Sequence, residues 1–395
     1  MYSANSSVES VSAGDDATAG ALDGLKVLDF SRVLAGPFAT MMLGDLGAEV
    51  IKVERPDGGD ETRSWGPPFD AHGQATYFLS VNRNKRSVVL DLKDSADLER
   101  ARQLALTADV LVENFRPGLM AELGLAYEDL QPGNPGLVYC SITGFGPGQG
   151  ARLPGYDLLV QALGGLMSIT GEPDRDPQKV GVALVDILTG LFATSGILAA
   201  LHHRERSRRG QKVEVSLLAS LLAALVNQAS AYTAGGVVPH RMGNAHPSIS
   251  PYELYDADDG QLVIAVGNDR QFRALCETVD RPDLADEARF ATNTDRVANR
   301  TELREELERS LRRRPAADWS EALTAARVPA GLVNDVGAAF RLASELGLDP
   351  VVQIRDGDGP ATPLTRNPIT LWDTPASYRS APPALGSHEP GAATW

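Results

Sequence analysis

The N-terminal part of the chain alternates short apolar segments with segments of helical pattern. Leu25–Phe30 and Glu49–Glu54 are rich in Val, Ile and Leu, as buried strands are. Phe38–Leu46 lies between them and has the pattern of a helix, with Pro37 before it and Gly47 after it. A strand, a helix and a strand in roughly thirty residues make a βαβ unit, so parallel strands are predicted.

The same alternation continues through the next ninety or so residues. It predicts strands at Ser87–Leu92, Asp109–Phe115 and Leu137–Thr143, a helix at Ser95–Thr107 and a short helix that ends at Gly124. Four glycines between residues 144 and 150 predict a loop after the last of these strands. The pattern indicates an α/β fold with a Rossmann-like, doubly wound sheet, whose ligands bind at the carboxyl ends of the strands.

The chain becomes mainly helical after Gly155. The predicted helices are Asp157–Ser168, Val185–Arg206 and Glu214–Thr233. Beyond residue 237, the pattern predicts strands at Pro251–Tyr255, Gln261–Val266 and Val328–Val333, with amphipathic helices such as Arg300–Arg313 between them. Residues from about 356 onward are rich in Pro, Gly and Thr, and we expect them to wrap back on the first part of the chain.

Composition limits the partners that we expect. A net charge of −15 and a pI of about 4.9 argue against a nucleic-acid partner, although a local basic pocket could still bind an anionic cofactor. Two distant cysteines and the absence of a Cys/His cluster argue against a disulfide scaffold and a metal site, and favour a reducing, cytoplasmic compartment. Residues 1–21 have no features of a secretory signal, and a disordered tail is predicted there.

Asp186 is the most informative single residue. It is the sole ionisable side chain between Val182 and Leu201, the longest apolar run of the chain. A carboxylate in such surroundings is costly unless it is paired or functional, and carboxylates can carry acyl groups covalently. Its ordinary alternative is an N-cap or first-turn aspartate. The run is long enough for a membrane span, but a buried core helix is favoured, and no membrane partner is expected.

Two further segments are candidates for anion binding. The turn Arg32–Pro37 lacks the G-x-G-x-x-G pattern of dinucleotide sites, yet it precedes a helix whose N-terminus could receive an anion. Val81–Lys93 carries four cations against one acid and is a candidate phosphate site. The alternatives are a turn that simply packs and a solvated strand edge guarded by lysine.

Seven segments of the chain carry a family resemblance through their order and their residues. The segments are residues 22–69 (LDGLKVLDFSRVLAGPF and onward), 82–93 (NRNKRSVVLDLK), 109–118 (DVLVENFRPG), 141–150 (SITGFGPGQG), 154–165 (PGYDLLVQALGG), 180–190 (VGVALVDILTG) and 196–211 (GILAALHHRERSRRGQ). In this order they resemble the family III CoA-transferases. This is the family of formyl-CoA transferase and the carnitine-type CoA-transferases, and alpha-methylacyl-CoA racemase shares its fold.

The resemblance implies an interlocked homodimer, in which each chain passes through a ring formed by the other. It implies a large CoA-binding α/β domain at residues 22–236 and a small α+β domain at 237–334. A C-terminal segment, 335–395, is then expected to return to the large domain.

The resemblance also implies roles for individual residues. Asp186 matches the family's nucleophilic aspartate, which forms an acyl anhydride and then an aspartyl-CoA thioester. The substrate pocket is expected to include Trp65, Tyr156 and Asp157. No tightly bound cofactor is implied, because the CoA thioester is a substrate together with a free carboxylic acid. The implied CoA contacts are Leu34, Ala35, Arg55, Leu90, Asp91, Leu92, Lys93, Asn114, Phe115 and Arg116.

Departures from the family pattern bear on the reaction. Leu34 replaces a glutamine, Glu122 replaces an arginine, and residues 246–251 lack the glycine run of formyl-CoA transferase. Tyr156 occupies the position where the racemases have histidine, and the ordinary pKa of tyrosine suits proton abstraction poorly. CoA transfer, with succinyl-CoA as the expected donor, is therefore favoured over racemisation or epimerisation and over a non-catalytic CoA-binding protein.

Overall fold

A computed structural model of the chain describes residues 19–355, 359–388 and 395. Of the predicted disordered tail at residues 1–21, residues 1–18 lie outside the described residues. The end of the predicted tail is part of a turn, in which the carbonyl of Gly20 accepts the backbone N–H of Asp23 at 3.0 Å. The chain forms two compact units. Unit 1 comprises Met1–Val160, Ala183–Ala224 and Val351–Trp395, and unit 2 comprises Gln161–Val182 and Leu225–Pro350.

The limits of these units differ from the predicted domain ranges. Residues 161–182 and 225–236 belong to unit 2, and the C-terminal segment belongs to unit 1 from Val351 rather than from residue 335. Contacts within unit 2 explain part of the difference. The backbone N–H of Val180 donates to the Gln161 side chain at 2.9 Å, and Nε of Arg241 donates to the carbonyl of Glu172 at 3.2 Å.

Eleven strands form three sheets in the described part of the chain. They are β1 Lys26–Asp29, β2 Glu49–Glu54, β3 Lys85–Val89, β4 Val110–Glu113, β5 Val138–Thr143, β6 Lys212–Ser216, β7 Tyr252–Asp256, β8 Gln261–Ala265, β9 Ala330–Leu332, β10 Val351–Ile354 and β11 Thr362–Thr365.

The largest sheet confirms the predicted α/β class. Its six strands lie in the order β3-β2-β1-β4-β5-β6, and every neighbouring pair is parallel. This is the order of a doubly wound Rossmann-like sheet. The chain direction across the sheet reverses between β1 and β4, so the crevice at their carboxyl ends is where this topology places a ligand.

Fifteen α-helices accompany the described strands. They are α1 Ala35–Asp45, α2 Thr76–Leu79, α3 Ser95–Thr107, α4 Leu119–Glu122, α5 Tyr127–Leu130, α6 Asp157–Leu163, α7 Leu166–Ile169, α8 Leu184–Ser207, α9 Leu217–Ala224, α10 Val226–Thr233, α11 Asp269–Thr278, α12 Asn293–Ala298, α13 Arg300–Leu311, α14 Ala316–Ala325 and α15 Val336–Glu345.

Two predicted helices are wrong in extent. The predicted helix at Glu214–Thr233 begins instead as β6, because the alternation of Val213 and Val215 suits a strand and the sheet offers β5 as a parallel partner. The predicted helix at Asp157–Ser168 is divided into α6 and α7 by Gly165, whose φ of 87° lies in the left-handed region.

Two of the four cations in the basic segment at residues 81–93 are buried. The side chain of Arg83 is buried and donates to Asp45 at 2.6 and 2.8 Å. Lys85 is also buried and bonds to Asp29 at 3.1 Å. A buried cation requires a partner of opposite charge. These two cations therefore belong to the interior of unit 1, which overturns both the phosphate site and the solvated edge as explanations for them.

Unit 2 has its own sheet and core. Strands β7, β8 and β9 form an antiparallel sheet, as predicted for the small α+β part. Helices α11, α13 and α14 supply buried side chains to the same core. Trp319 is buried within it and donates its indole N–H to the carbonyl of Leu311 at 2.7 Å.

Helix α8 is long and apolar enough to cross a membrane by length and composition alone. Its packing explains that composition differently. One face, which includes Val185, Ala193 and Ile197, is buried in unit 1. Helix α1 packs closely on α8, because a Cβ at Gly190 would lie 2.7 Å from the carbonyl oxygen of Ala35. The helix is therefore part of a core.

Candidate active site

A cavity opens at the carboxyl edge of the six-stranded sheet, in unit 1. The turn after β1, the segment after β4 and the end of β5 form three of its walls, and the first turn of α8 contributes Asp186. Its volume is about 350 Å³. The cavity thus lies beside the point between β1 and β4 where the strand order reverses, as expected for this topology.

Asp186 stands in the first turn of α8 without acting as the helix cap. Asp157 has that role, because one of its carboxylate oxygens accepts the backbone N–H groups of Val185 at 2.8 Å and Asp186 at 3.2 Å. The N-cap explanation for Asp186 is therefore wrong. Its carboxylate is directed to the cavity, where it is available for chemistry.

The environment raises the pKa of Asp186 to about 7. Burial is the larger cause, and the nearby negative charge of Asp157 is the second. A carboxylate with such a pKa is more basic than an ordinary aspartate and is largely ionised only above neutral pH. Higher basicity makes it a better nucleophile toward a thioester carbonyl.

The turn after β1 is held in a strained conformation. Val33 has a φ of 69°, an uncommon value for a β-branched residue. Its backbone N–H donates to both oxygens of Asp60 at 3.3 Å, and Lys52 forms a buried ion pair with Asp60 at 2.9 Å. These buried groups compensate for the strain and hold Leu34 and Ala35 against the cavity.

Asn114 fixes the same turn from the neighbouring strand. Its side-chain oxygen accepts the backbone N–H of Arg32 at 2.9 Å, and its side-chain nitrogen donates to the carbonyl of Arg32 at 2.8 Å. The segments that follow β1 and β4 are consequently bound to each other across the crevice. This contact gives Asn114 a structural role in addition to the contact with CoA that the resemblance implies.

Aromatic side chains line part of the cavity. Trp65 and Tyr156 line it, and Trp65 packs edge-to-face on Tyr77 with 5.3 Å between ring centroids. Burial, followed by the negative charges of Asp186 and Asp157, raises the pKa of Tyr77 to about 12. Tyr77 therefore carries a neutral phenol at physiological pH.

The structure brings eight of the predicted site residues to this cavity: Leu34, Ala35, Trp65, Asn114, Phe115, Arg116, Tyr156 and Asp186. Asp157 lies beside them at the start of α8. The side chain of Arg116 is exposed and forms two hydrogen bonds with Glu122, at 2.5 and 2.8 Å.

The remaining predicted CoA contacts do not line the cavity. Arg55 is half exposed and lies 3.6 Å from Glu61. The side chain of Leu90 belongs to the core of unit 1, so it can offer a ligand only its backbone. Asp91, Leu92 and Lys93 follow β3 in a turn, where Asp91 accepts the backbone N–H of Lys93 at 3.0 Å.

Three residues of the site were not singled out from the sequence. Arg32 and Glu61 line the cavity as an ion pair, with 2.6 Å between Nη1 and Oε1, and Tyr77 supports Trp65. Arg32 was noted only as part of its turn. No local pattern links it to an acid twenty-nine positions further along the chain.

Known proteins resemble this chain over nearly its whole length. The model of CoA-transferase family III matches residues 22–389. A succinate–glutarate CoA-transferase of Agrobacterium fabrum is 46% identical over 93% of this chain and 94% of its own length. The human succinyl-CoA:glutarate CoA-transferase is 41% identical over 93% and 84%, and the acetyl-CoA:oxalate CoA-transferase of Acetobacter aceti is 42% identical over 92% of each.

Solved structures share the fold. A CaiB/BaiF family protein from Brucella suis is 44% identical, has a TM-score of 0.83 and matches 94% of this chain and 97% of its own. A protein of Mycobacterium tuberculosis, solved in an orthorhombic crystal form, is 34% identical with a TM-score of 0.85 over 94% of this chain and 98% of its own.

Proposed function

Because the chain belongs to CoA-transferase family III, we propose that it transfers CoA between dicarboxylic acids and that Asp186 carries the acyl group. The prediction that the chain is a CoA-transferase is confirmed by the family match and by its relatives. The names of the relatives above include succinate, glutarate and oxalate, which are dicarboxylic acids, and one of the names also includes acetyl-CoA, the thioester of a monocarboxylic acid. Succinyl-CoA is the donor that we propose for this chain, with glutarate as the first acceptor to test.

The position of Asp186 is the observation that carries the mechanism. Its carboxylate lies in a cavity, at the start of a helix, with a pKa raised to about 7. A carboxylate oxygen attacks the thioester carbonyl of the donor. The carbon–sulfur bond breaks, CoA leaves as a thiolate, and a mixed anhydride between Asp186 and the donor acid remains.

The remaining steps of the reaction form the CoA thioester of the acceptor acid. The CoA thiolate attacks the aspartyl carbonyl of the anhydride, releasing the donor acid as a carboxylate and leaving an aspartyl-CoA thioester. The acceptor carboxylate then attacks that thioester and expels the thiolate. The thiolate in turn attacks the acceptor's carbonyl, which regenerates the Asp186 carboxylate. No proton is consumed, and each step is intramolecular while CoA stays held by its nucleotide end.

The other site residues act by binding and positioning. Asp157 holds the first turn of α8 and, through its charge, keeps Asp186 basic. Trp65 and Tyr156 enclose the acyl chain, and the exclusion of water by such walls protects the anhydride from hydrolysis. Leu34, Ala35, Asn114, Phe115 and Arg116 are proposed to contact CoA along the crevice, and Arg55 and residues 90–93 to contact its nucleotide end.

Screening of the purified protein tests this function. Succinyl-CoA is offered with glutarate, oxalate or a monocarboxylic acid, and the CoA products are identified by mass spectrometry. We expect a new acyl-CoA to appear only when a free acid is added. Deuterium incorporation at the α-carbon of a branched acyl-CoA in heavy water, without any acceptor acid, would instead assign a racemase.

We also propose a homodimer, in the interlocked form that the family resemblance implies, and a cytoplasmic location without a tightly bound cofactor. Large apolar side chains that are exposed in the single chain support self-association: Phe192 is 44% exposed, Val226 68% and Tyr232 61%. The free thiols of Cys140 and Cys276 support a reducing compartment.

A further inference from the structure

The ion pair of Arg32 and Glu61 is part of the cavity that contains Asp186. Both side chains line this cavity, about one third of each is exposed, and their closest atoms, Nη1 and Oε1, are 2.6 Å apart. Neither is needed for the covalent steps proposed above. Glu61 opens the 3₁₀ turn that ends at Trp65, so the pair lies close to a residue that we propose to enclose the acyl chain.

The backbone on both sides of the pair is fixed. Asn114 binds the backbone N–H and carbonyl of Arg32. Glu61 opens a 3₁₀ turn that is capped by Asp60, and Asp60 in turn accepts the N–H of Val33. The backbone that carries the two side chains is therefore held in place by these hydrogen bonds, as the positioning of a specificity-determining group requires.

The pair is also incomplete as it stands. Among the described residues, the buried Nε of Arg32 and the buried Oε2 of Glu61 have no hydrogen-bond partner. Buried polar atoms without partners are uncommon in native structures, and two in one ion pair indicate that a further group completes it. Glu61 engages only Nη1, so the side of the guanidinium that carries Nε remains for an acceptor such as a carboxylate.

The charge balance indicates that the missing group is an anion. Arg55 lies 3.6 Å from the same oxygen of Glu61, so two guanidinium groups face one carboxylate. Arg116 is the other cation among the described lining residues, but both of its terminal nitrogens bind Glu122. Asp157 and Asp186 make the reacting end of the cavity negative, so a dianionic substrate requires a cation elsewhere in the cavity.

We infer that Arg32 binds the carboxylate of the dicarboxylic acid that does not react with Asp186, and so selects dicarboxylic over monocarboxylic acids. This inference rests on the proposed transfer between dicarboxylic acids. A phosphate of CoA has the same anionic chemistry and is the other possible source of the missing group. The guanidinium of Arg32 also lies 5.1 Å from the ring centroid of Phe115, a proposed CoA contact. Its ion pair with Glu61, in the turn that ends at Trp65, favours the acid.

Calorimetric titration tests the inference without turnover. Glutarate, pentanoate (the monocarboxylic acid of the same chain length) and CoA are each titrated into wild type, Arg32→Gln and Arg32→Lys, the acids with CoA already bound. We expect Arg32→Gln to weaken glutarate binding by about 10- to 150-fold, the range for hydrogen bonds to charged groups. Pentanoate and CoA should bind to Arg32→Gln as they bind to wild type. Arg32→Lys keeps the positive charge but cannot form two parallel hydrogen bonds, so its glutarate affinity should lie between those of wild type and Arg32→Gln.

Arg100→Gln is the matched control, because Arg100 is exposed on α3 and lies 3.4 Å from Asp97. It should bind all three ligands as wild type does. The ratio of glutarate to pentanoate affinity is measured within each variant, so partial unfolding would reduce the active fraction and leave the ratio unchanged.

Three results would overturn the inference: unchanged glutarate affinity, equal loss for both acids, or loss confined to CoA, which would assign Arg32 to a phosphate. The proposed function fails separately. A protein that binds glutarate through Arg32 but transfers no CoA in the mass-spectrometric screen would contradict the transfer and leave this binding role intact.

Discussion

Asp157 and Asp186 lie near each other at the first turn of α8, and the negative charge of Asp157 adds to the larger effect of burial in raising the pKa of Asp186. Asp157 accepts two backbone N–H groups there, while Asp186 lies in the cavity. Two carboxylates in one environment thus have different positions, one holding the helix and one lining the cavity, where we propose that it reacts. Such a division is common where enzymes place acidic groups in pairs.

Replacement of Asp186 by Asn is expected to abolish transfer, because an amide oxygen cannot form the anhydride. We expect kcat to fall by at least about 1000-fold, which corresponds to roughly 4 kcal/mol in the barrier. After addition of donor alone, borohydride or hydroxylamine should trap the aspartyl thioester at Asp186 in wild type but leave the variant unlabelled. Activity within about tenfold of wild type would remove Asp186 from the mechanism.

Thermal melting provides the folding control for this variant. The folded protein raises the pKa of Asp186, so it favours the protonated form. The stability from that preference is present below the ordinary pKa of aspartate and is lost as the pH rises through about 7. Asn cannot ionise, so Asp186→Asn should gain stability relative to wild type between about pH 4 and pH 8. A lower melting temperature than wild type at the upper end of this range would indicate a damaged fold.

Asp157→Asn removes the negative charge of residue 157 but keeps a side-chain oxygen that can cap α8. Asn caps helices about as well as Asp, so α8 should keep its start. Loss of the negative charge should lower the pKa of Asp186, because Asp157 contributes to its rise to about 7. The acid limb of the kcat/KM profile should therefore shift to lower pH in this variant. An unchanged limb would show that burial alone sets the basicity of Asp186.

At the scale of elements, the contact of α1 with α8 connects the two sides of the site. Helix α1 begins with Ala35 at the cavity, and α8 carries Asp186. The helices approach closely at Gly190, one turn after Asp186, since a Cβ there would meet the carbonyl oxygen of Ala35 at 2.7 Å. Because the atom that the Cβ would meet belongs to the backbone, no side chain can move aside to accommodate it.

Gly190→Ala should therefore move the walls of the site apart. We expect a lower melting temperature, and a fall in kcat/KM of about tenfold or more, as small displacements of reacting groups are costly. Ser195→Ala, on an exposed position of the same helix, should match wild type in both measurements. Equal behaviour of the two variants would show that the packing of α1 on α8 does not control the geometry of Asp186.

At the scale of the molecule, the proposed homodimer has a direct test. If the chains are interlocked, they cannot separate without unfolding, so dilution should not produce monomers. Mass photometry at nanomolar concentration should show a mass near twice 42.0 kDa. A monomer peak that grows on dilution would contradict the interlocked form, and monomers at all concentrations would contradict self-association.

The sequence by itself determined the class of the sheet and the identity of the central carboxylate. Strands buried on both faces must be continuous apolar segments, so β1, β2, β4 and β5 were visible locally, and Asp186 stood out as the one charge in an apolar run. Motif resemblance added the family, which the comparisons confirm. Strand β6 was missed, because only its pairing with β5 decides between strand and helix there.

Only the tertiary structure decided which charges are internal and which line the cavity. Arg83 and Lys85 look like surface cations in the sequence, yet long-range partners bury them, at Asp45 and Asp29. Arg32, with nothing distinctive around it, meets Glu61 at the cavity through a turn that Asp60 and Asn114 fix. Local pattern reports burial and secondary structure, but an ion pair depends on distances between residues far apart in the chain, which only the fold determines.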